Sequence, residues 1–348
     1  MTTPYLIRSV QLSDLGDLHQ LSKLVNFINL PPDEAQLEQL IRRSQKTFLS
    51  PLKRLEENYY MFVVESRASN TVVGCSLIHA QHGSAKEPHY FLKVGQEYKY
   101  SKSLNTGFVH GTLKLGFETN GYTEIGALLL HPEHRANGEK VGKQISFMRF
   151  LYMAAHPDRF KEMVHAELMP PLDEDGNSPL WEAIGRRFLN MDYLEADLIS
   201  RKNKEFILSL YPSNNIYQTL LPAAARLSIG KVGNDTEPVK KMLEEIGFYY
   251  TQEVDPFDGG PHYRCPLKDI MPIKDKKIGA LKITPELANN TKNYLIHINL
   301  LQQNKDGTFM AIKTPAITEN ENIVITNQVA KDFQLAEGTP VTAIPFDF

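Results

Sequence analysis

The sequence predicts an α+β protein: a mixed sheet flanked by helices, followed by a small β-rich domain. Three observations predict it. Strand-like and helix-like runs alternate irregularly up to about residue 265; one short apolar run feeds a glycine-bearing loop and then a helix; and from about residue 266 the runs are mostly β-like. A length of 348 residues exceeds the roughly 150 usual for one domain. Hydrophobic residues at 42% and charged residues at 23% leave material for a core and exclude a disordered or fibrous chain.

Tyr5 to Val10 reads as a strand, and Ser13 or Asp14 can cap a helix carrying Leu15, Leu18, Leu21 and Leu24. After Pro31 and Pro32 a second amphipathic segment runs through Leu37, Leu40 and Ile41, with Asp33 and Glu34 near its start. YYMFVVE (59–65) and TVVGCSLIH (71–79) form a hairpin across Ser69 and Asn70. TEIGALLL (123–130) is a buried strand stopped by Pro132. The loop HPEHRANGEKVGK follows, and then a helix with Ile145, Met148, Leu151 and Tyr152. His165 to Leu168 is a further strand, and LDEDGNSP turns the chain into a helix holding Trp181, Ile184 and Phe188. Thr236 caps a helix faced by Val239, Met242, Leu243 and Ile246 that Gly247 ends, and Phe248 to Thr251 resumes a strand. In the tail, YLIHINLL, FMAIK, NIVI and VTAIPF are strands, and Thr326 caps a short helix to Phe333.

Several function classes are excluded. A formal charge of −3 is too balanced for a chain that neutralises a phosphate backbone, so no nucleic-acid partner is expected. Cys75 and Cys265 sit in no zinc or disulfide spacing, which fits a reducing cytoplasm. No leader-like amino terminus and no apolar run of membrane-spanning length occur, so no membrane partner is expected either. His131 with His134 and His79 with His82 are each three apart, but no carboxylate or thiol spacing completes either pair, and no metal is assigned. Ser178 lies outside any GxSxG pattern, and no covalent nucleophile is indicated.

A strand, a glycine-bearing basic loop and a helix together make an anion site, because free amides at the helix start and the helix dipole both attract phosphate. Here the loop offers Arg135, Asn137, Gly138, Gly142 and Lys143, with neither the P-loop nor the dinucleotide spacing. The remaining reading is the pyrophosphate loop of an acyl-CoA-binding transferase. IRSVQLSDL at the start and MLEEIGFYY near residue 246 are similar to the GNAT acyltransferase superfamily. TEIGALLLHPEHR, ELMPPLDEDGNSPLWEAIGRRFLNMDY, NKEFI, IGKVGNDTEPVKKMLEEIGF and DPFDGGP, in this order, resemble the arginine N-succinyltransferase family from Tyr5 to about Pro261.

That resemblance implies a GNAT-like acyl-CoA-binding domain over 1–265 and a β-rich domain over 266–348. It also implies transfer of a succinyl group from succinyl-CoA, as cosubstrate rather than bound cofactor, to the α-amino group of arginine. The family's succinyl-CoA-contacting leucine falls on Leu128, and its RxxGxG loop on Arg135 and Gly138, with the last glycine at Gly142 after two inserted residues. Its proton-donor histidine, in V-H-P-x-T, falls on Gly233 in VGNDT, so the catalytic acid or base is unassigned; Asp235, His131 or His165 are the substitutes. The family's D-P-W-Y-N-Y-R-V reads EPHYFLKV, so Trp becomes His89 and Arg becomes Lys93. Glu124 and Glu167 are candidates to meet a guanidinium, and Lys93 or Arg149 to meet the succinyl carboxylate. A symmetric homodimer is expected, and the Gly233 departure leaves a non-catalytic or altered-specificity CoA-binding protein as the alternative.

Overall fold

In the computed structural model, residues 3–24, 30–135, 137–200, 203–288, 290–298 and 309–347 are described. Strand β1 (Tyr5–Ser9) leads through a short 3-10 turn into α1 (Leu15–Ser22), and α2 (Glu34–Leu49) begins where the Asp33 carboxylate accepts the Gln36 amide. β2 (Tyr59–Ser66) and β3 (Thr71–His82) form the expected hairpin, turning at Asn70 with φ 53°. β4 (His89–Ser101) and β5 (Thr106–Glu118) form a second, longer hairpin, which no sequence signal marks. β6 (Tyr122–Leu130), α3 (Val141–Ala155) and β7 (Met163–Glu167) come next. The expected Trp181 helix is split into α4 (Pro179–Ala183) and α5 (Gly185–Leu189). α6 (Tyr193–Ser200), α7 (Glu205–Leu210), β8 (Ile216–Tyr217) and α8 (Ala223–Ser228) precede α9 (Glu237–Glu245), β9 (Tyr249–Val254) and β10 (Pro261–Pro266). The tail comprises α10 (Met271–Lys274), β11 (Lys277–Thr284), β12 (Lys292–Ile298), β13 (Met310–Glu319), β14 (Asn322–Thr326), α11 (Asn327–Asp332) and β15 (Pro340–Pro345). The 299–301 end of the YLIHINLL run lies outside the described residues.

The chain divides into two compact units, with cuts after residues 80, 122, 162 and 265. One comprises 1–80, 123–162 and 266–348; the other comprises 81–122 and 163–265. The β-rich tail is therefore not a unit of its own. Its strands run β12-β15-β11-β14-β13, and β12 also pairs with β13, so they close on themselves around Leu281, Ile296, Ile312 and Ile325. Closure removes the edges that five separate strands would expose. β13 also pairs with β1 at Ile7 and Ala311, which ties the tail to the amino-terminal sheet. On that sheet α1 and α2 bury Leu18, Leu21, Leu37 and Ile41 against Val63, Cys75 and Leu129.

In the second unit the strand order is β7-β10-β9-β4-β5-β8. Its core gathers Leu92, Leu113, Trp181, Ala196, Ile207 and Val254. The helix breaks at Ile184 (φ −125°, ψ −70°), and beside the break a Cβ on Gly185 would stand 2.2 Å from the Trp181 ring, so only glycine fits there.

His297 on β12 is buried and stacks on Phe309 with ring centroids 4.3 Å apart. Burial, with a smaller contribution from His156, pulls its pKa down to about 3. The folded value lies below the unfolded one, so the folded chain resists a proton that the unfolded chain accepts below about pH 6.5. Stability is complete above that pH and is lost as pH falls toward the folded value, by about 2 kcal/mol at pH 5. Denaturant midpoints measured from pH 7 to 5 should fall less steeply for His297→Phe than for the parent; equal slopes would show that His297 does not carry the effect.

Candidate functional site

The loop after β6 folds as the sequence suggests. His131 N–H donates to the Val73 carbonyl, a 3-10 turn spans Pro132–His134, and Lys140, in the left-handed region at φ 53°, is the N-cap of α3. No side chain caps α3, and its first turn carries no acidic residue. The amides that open a helix have no intrahelical acceptors, so this start offers donors and the positive end of a dipole. Gly142 is the second helical residue, and a Cβ there would meet only Leu130 Cδ2, at 3.9 Å; a Cβ on Gly138 would meet nothing within 4 Å. The backbone is thus open to a ligand at both glycines.

The loop side chains divide. Arg135 is exposed and anchored by its Nε, which donates to the Leu130 carbonyl at 3.1 Å. Asn137 Nδ2 donates to the Tyr5 hydroxyl at 3.1 Å, and that hydroxyl also meets His134 Nδ1 at 2.9 Å. Lys143 is turned onto aromatic faces, its Nζ 4.8 Å from the Phe147 ring centre and 5.1 Å from that of Phe346. Leu128 is half-buried and follows Ala127, whose φ of 47° is rare inside a strand. After this irregularity Leu129 and Leu130 are both buried, so the in-and-out alternation of β6 is broken beside the loop.

Of the charged candidates in the same unit, Glu124 is buried with its carboxylate 4.0 Å from His79 Nδ1. Arg149 is enclosed in α3 at 2% exposure; its Nε and Nη2 donate to the Ser146 carbonyl and hydroxyl. Burial pulls its pKa down to about 9.

In the second unit, Lys93 is exposed on β4, between Lys114 of β5 and Glu253 of β9 in register. Gly233 sits in the turn before α9. Its amide donates to the Met169 carbonyl, and its carbonyl accepts from Thr236 and Glu237. Asp235 is exposed. β4, β7 and β10 carry His89, His165 with Glu167, and His262 into one cluster whose ligand atoms all lie within 4.8 Å of one another. Glu167 Oε1 is 3.4 Å from His89 Nδ1, 3.3 Å from His165 Nε2 and 3.9 Å from His262 Nε2. Arg264 Nε donates to His165 Nδ1 at 3.2 Å, and Arg264 Nη2 pairs with Glu253. His165, one of the substitutes for a proton donor, is therefore already engaged on both nitrogens.

In the sequence His89, His165 and Glu167 stand out singly, and His262 does not stand out. The usable signal was the two-residue spacing of His165 with Glu167 and of His262 with Arg264, which puts each pair on one face of a strand. An open cavity of about 700 Å³ in this unit, lined by Arg186, Asp192, Leu194 and Leu198 among others, includes none of these residues.

Comparison with known proteins agrees with the motif order. A family model described as "Arginine N-succinyltransferase beta subunit" matches residues 5–272. An arginine N-succinyltransferase of Escherichia coli O6:K15:H31 is 36% identical over 276 residues, 78% of this chain and 79% of the relative. One from Enterobacter sp. (strain 638) is 37% identical over the same shares. The solved structure of arginine/ornithine succinyltransferase subunit AI from Pseudomonas aeruginosa superposes with a TM-score of 0.84 at 26% identity, covering 99% of this chain and 100% of that one. The likeness therefore extends through the β-rich tail, and the expected α+β class, shared with that succinyltransferase subunit, is the fold of this chain.

Proposed function

Because this chain belongs to the arginine N-succinyltransferase family, we propose that it transfers the succinyl group of succinyl-CoA to the α-amino group of arginine. The observation that carries the reading is the uncapped start of α3, open at Gly138 and Gly142 and flanked by Arg135, directly after β6. Such a start suits the pyrophosphate of CoA. In the reaction the uncharged amine attacks the thioester carbonyl, the C–S bond breaks, CoA leaves as a thiol, and the amine nitrogen gives up its proton. Alignment of the two substrates and amide donors to the developing oxyanion supply much of the rate in such a transfer. Glu124 is the candidate partner for the guanidinium. The alternative, a CoA-binding protein without activity, rests on Gly233 alone and is not favoured by relatives that are named as transferases.

The direct test follows free thiol on mixing the protein with succinyl-CoA and arginine. Thiol release that requires arginine is expected; none with any basic amino acid, alongside measurable CoA binding, would leave the alternative standing. At residue 233 a Cβ would stand 3.1 Å from the Pro170 carbonyl, so Gly233→His needs a small backbone adjustment. That variant is expected to raise kcat by about a hundredfold, the lower end of what a positioned general acid or base contributes. An unchanged kcat would assign the proton to water or another residue.

The buried Cys75 and Cys265, in no disulfide spacing along the chain, support a cytoplasmic setting. Among the described residues no helix is long and apolar enough to cross a membrane. Exposed Tyr98, Tyr100, Leu104, Phe108 and Val109 along the β4–β5 hairpin support pairing into a homodimer, which light scattering on the purified chain would test.

A further inference from the structure

Buried polar atoms almost always find a partner, and a buried imidazole that lacks one carries an uncompensated desolvation cost. His262 is 0% exposed, yet among the described residues neither of its ring nitrogens has a hydrogen-bond partner, and Nε2 of His89, at 2% exposure, has none either. Both rings stand against the same carboxylate, Glu167. A guanidinium Nε can only donate, so the Arg264 contact makes His165 Nδ1 an acceptor and leaves the His165 proton on Nε2, aimed at Glu167 Oε1. His165 thus holds the carboxylate in place. His89 Nδ1 and His262 Nε2 are the ring nitrogens that face the same oxygen.

We propose that His89, His262 and Glu167 bind a divalent transition-metal ion of the zinc class, with His165 and Arg264 as the residues that position the carboxylate. The donor chemistry is two imidazoles and one carboxylate, a set that suits zinc and its neighbours rather than calcium or magnesium. The spacing agrees: bonds of about 2.0–2.1 Å in a tetrahedral site put neighbouring donors about 3.3–3.4 Å apart. The 3.4 Å from His89 to Glu167 matches this, and the 3.9 Å from His262 needs a shift of about half an ångström. Three protein ligands leave a fourth position for water, and Glu167 is the ligand that keeps contact with solvent, at 29% side-chain exposure. The ion has its entry there.

The proposal does not depend on the transferase reading, because its readout is ion binding. The full chain, stripped with a chelator, is titrated with Co²⁺ by visible absorption and with Zn²⁺ by calorimetry and thermal unfolding. The expected result is one ion per chain, an intense tetrahedral Co²⁺ spectrum displaced by Zn²⁺, and a Tm raised by Zn²⁺. His262→Gln should weaken binding by about a hundredfold or more and abolish the Zn²⁺ effect on Tm. His165→Gln should weaken it about tenfold, as expected of a residue one layer out. His110→Gln, on β5 outside the cluster, should leave binding unchanged. If His262→Gln does not fold, His89→Asn takes its place. Absence of saturable binding, an octahedral Co²⁺ spectrum, or equal affinity in the parent and the His262 or His89 variant would overturn the proposal.

Discussion

Gly142→Glu is expected to raise the KM for succinyl-CoA by about 30- to 150-fold while leaving the protein as stable as before or slightly more so. The two effects part because they have different sources. The added side chain enters open space, since only Leu130 Cδ2 lies within 4 Å of the new Cβ, at 3.9 Å. Replacing glycine within a helix gains about 0.5–1 kcal/mol, and an acidic residue in the first turn suits the dipole by about 0.3–1 kcal/mol. The same carboxylate faces the place where the amides of α3 would receive pyrophosphate. Two unit charges about 4 Å apart at a protein surface repel by about 4 kcal/mol, and screening leaves about 2–3 kcal/mol, which sets the fold-change. Steady-state kinetics with the acyl donor varied, together with a thermal melt, measure both sides. A parental KM in a well-folded variant would mean that the coenzyme's phosphates bind elsewhere.

Trp181→Ala should cost about 3–5 kcal/mol of stability, the range for truncating a large buried aromatic ring. Trp181 is 1% exposed, stacks on Phe257 with ring centroids 5.0 Å apart, and donates its indole N–H to the Met191 carbonyl at 3.0 Å. Removing the ring empties the space that Gly185 exists to provide and leaves the Met191 carbonyl without that donor. Guanidinium unfolding followed by circular dichroism gives the value directly. A loss below about 1 kcal/mol would mean that the surrounding helices collapse into the vacated space.

Signals spanning a few consecutive residues were readable without coordinates. The Asp33 cap and the Leu37 and Ile41 stripe mark α2; the Asn70 turn marks the β2–β3 hairpin; Gly247, at φ 108°, ends the helix that begins after Thr236. The candidate phosphate loop was readable for the same reason, since residues 131 to 143 are contiguous. The β4–β5 hairpin was missed because most of its positions are exposed or half-exposed, so no apolar alternation marks it. Lys143 and Arg149 read as charges available to ligands, yet one packs on aromatic rings and the other is enclosed by its own helix. Exposure is a property of packing, and residue type alone does not report it.

The capped helices, the β2–β3 hairpin, the glycine-bearing loop after β6 and the family likeness were legible in the sequence by itself, because cap chemistry, turn chemistry and hydrophobic period act over one or two turns of chain. Only the tertiary structure decided that β12 closes onto β13, that β13 joins β1, and that His89, Glu167 and His262 share one small volume. Those pairings join residues far apart along the chain. Strand register and burial of the whole domain select them, and no local stretch of sequence carries that information.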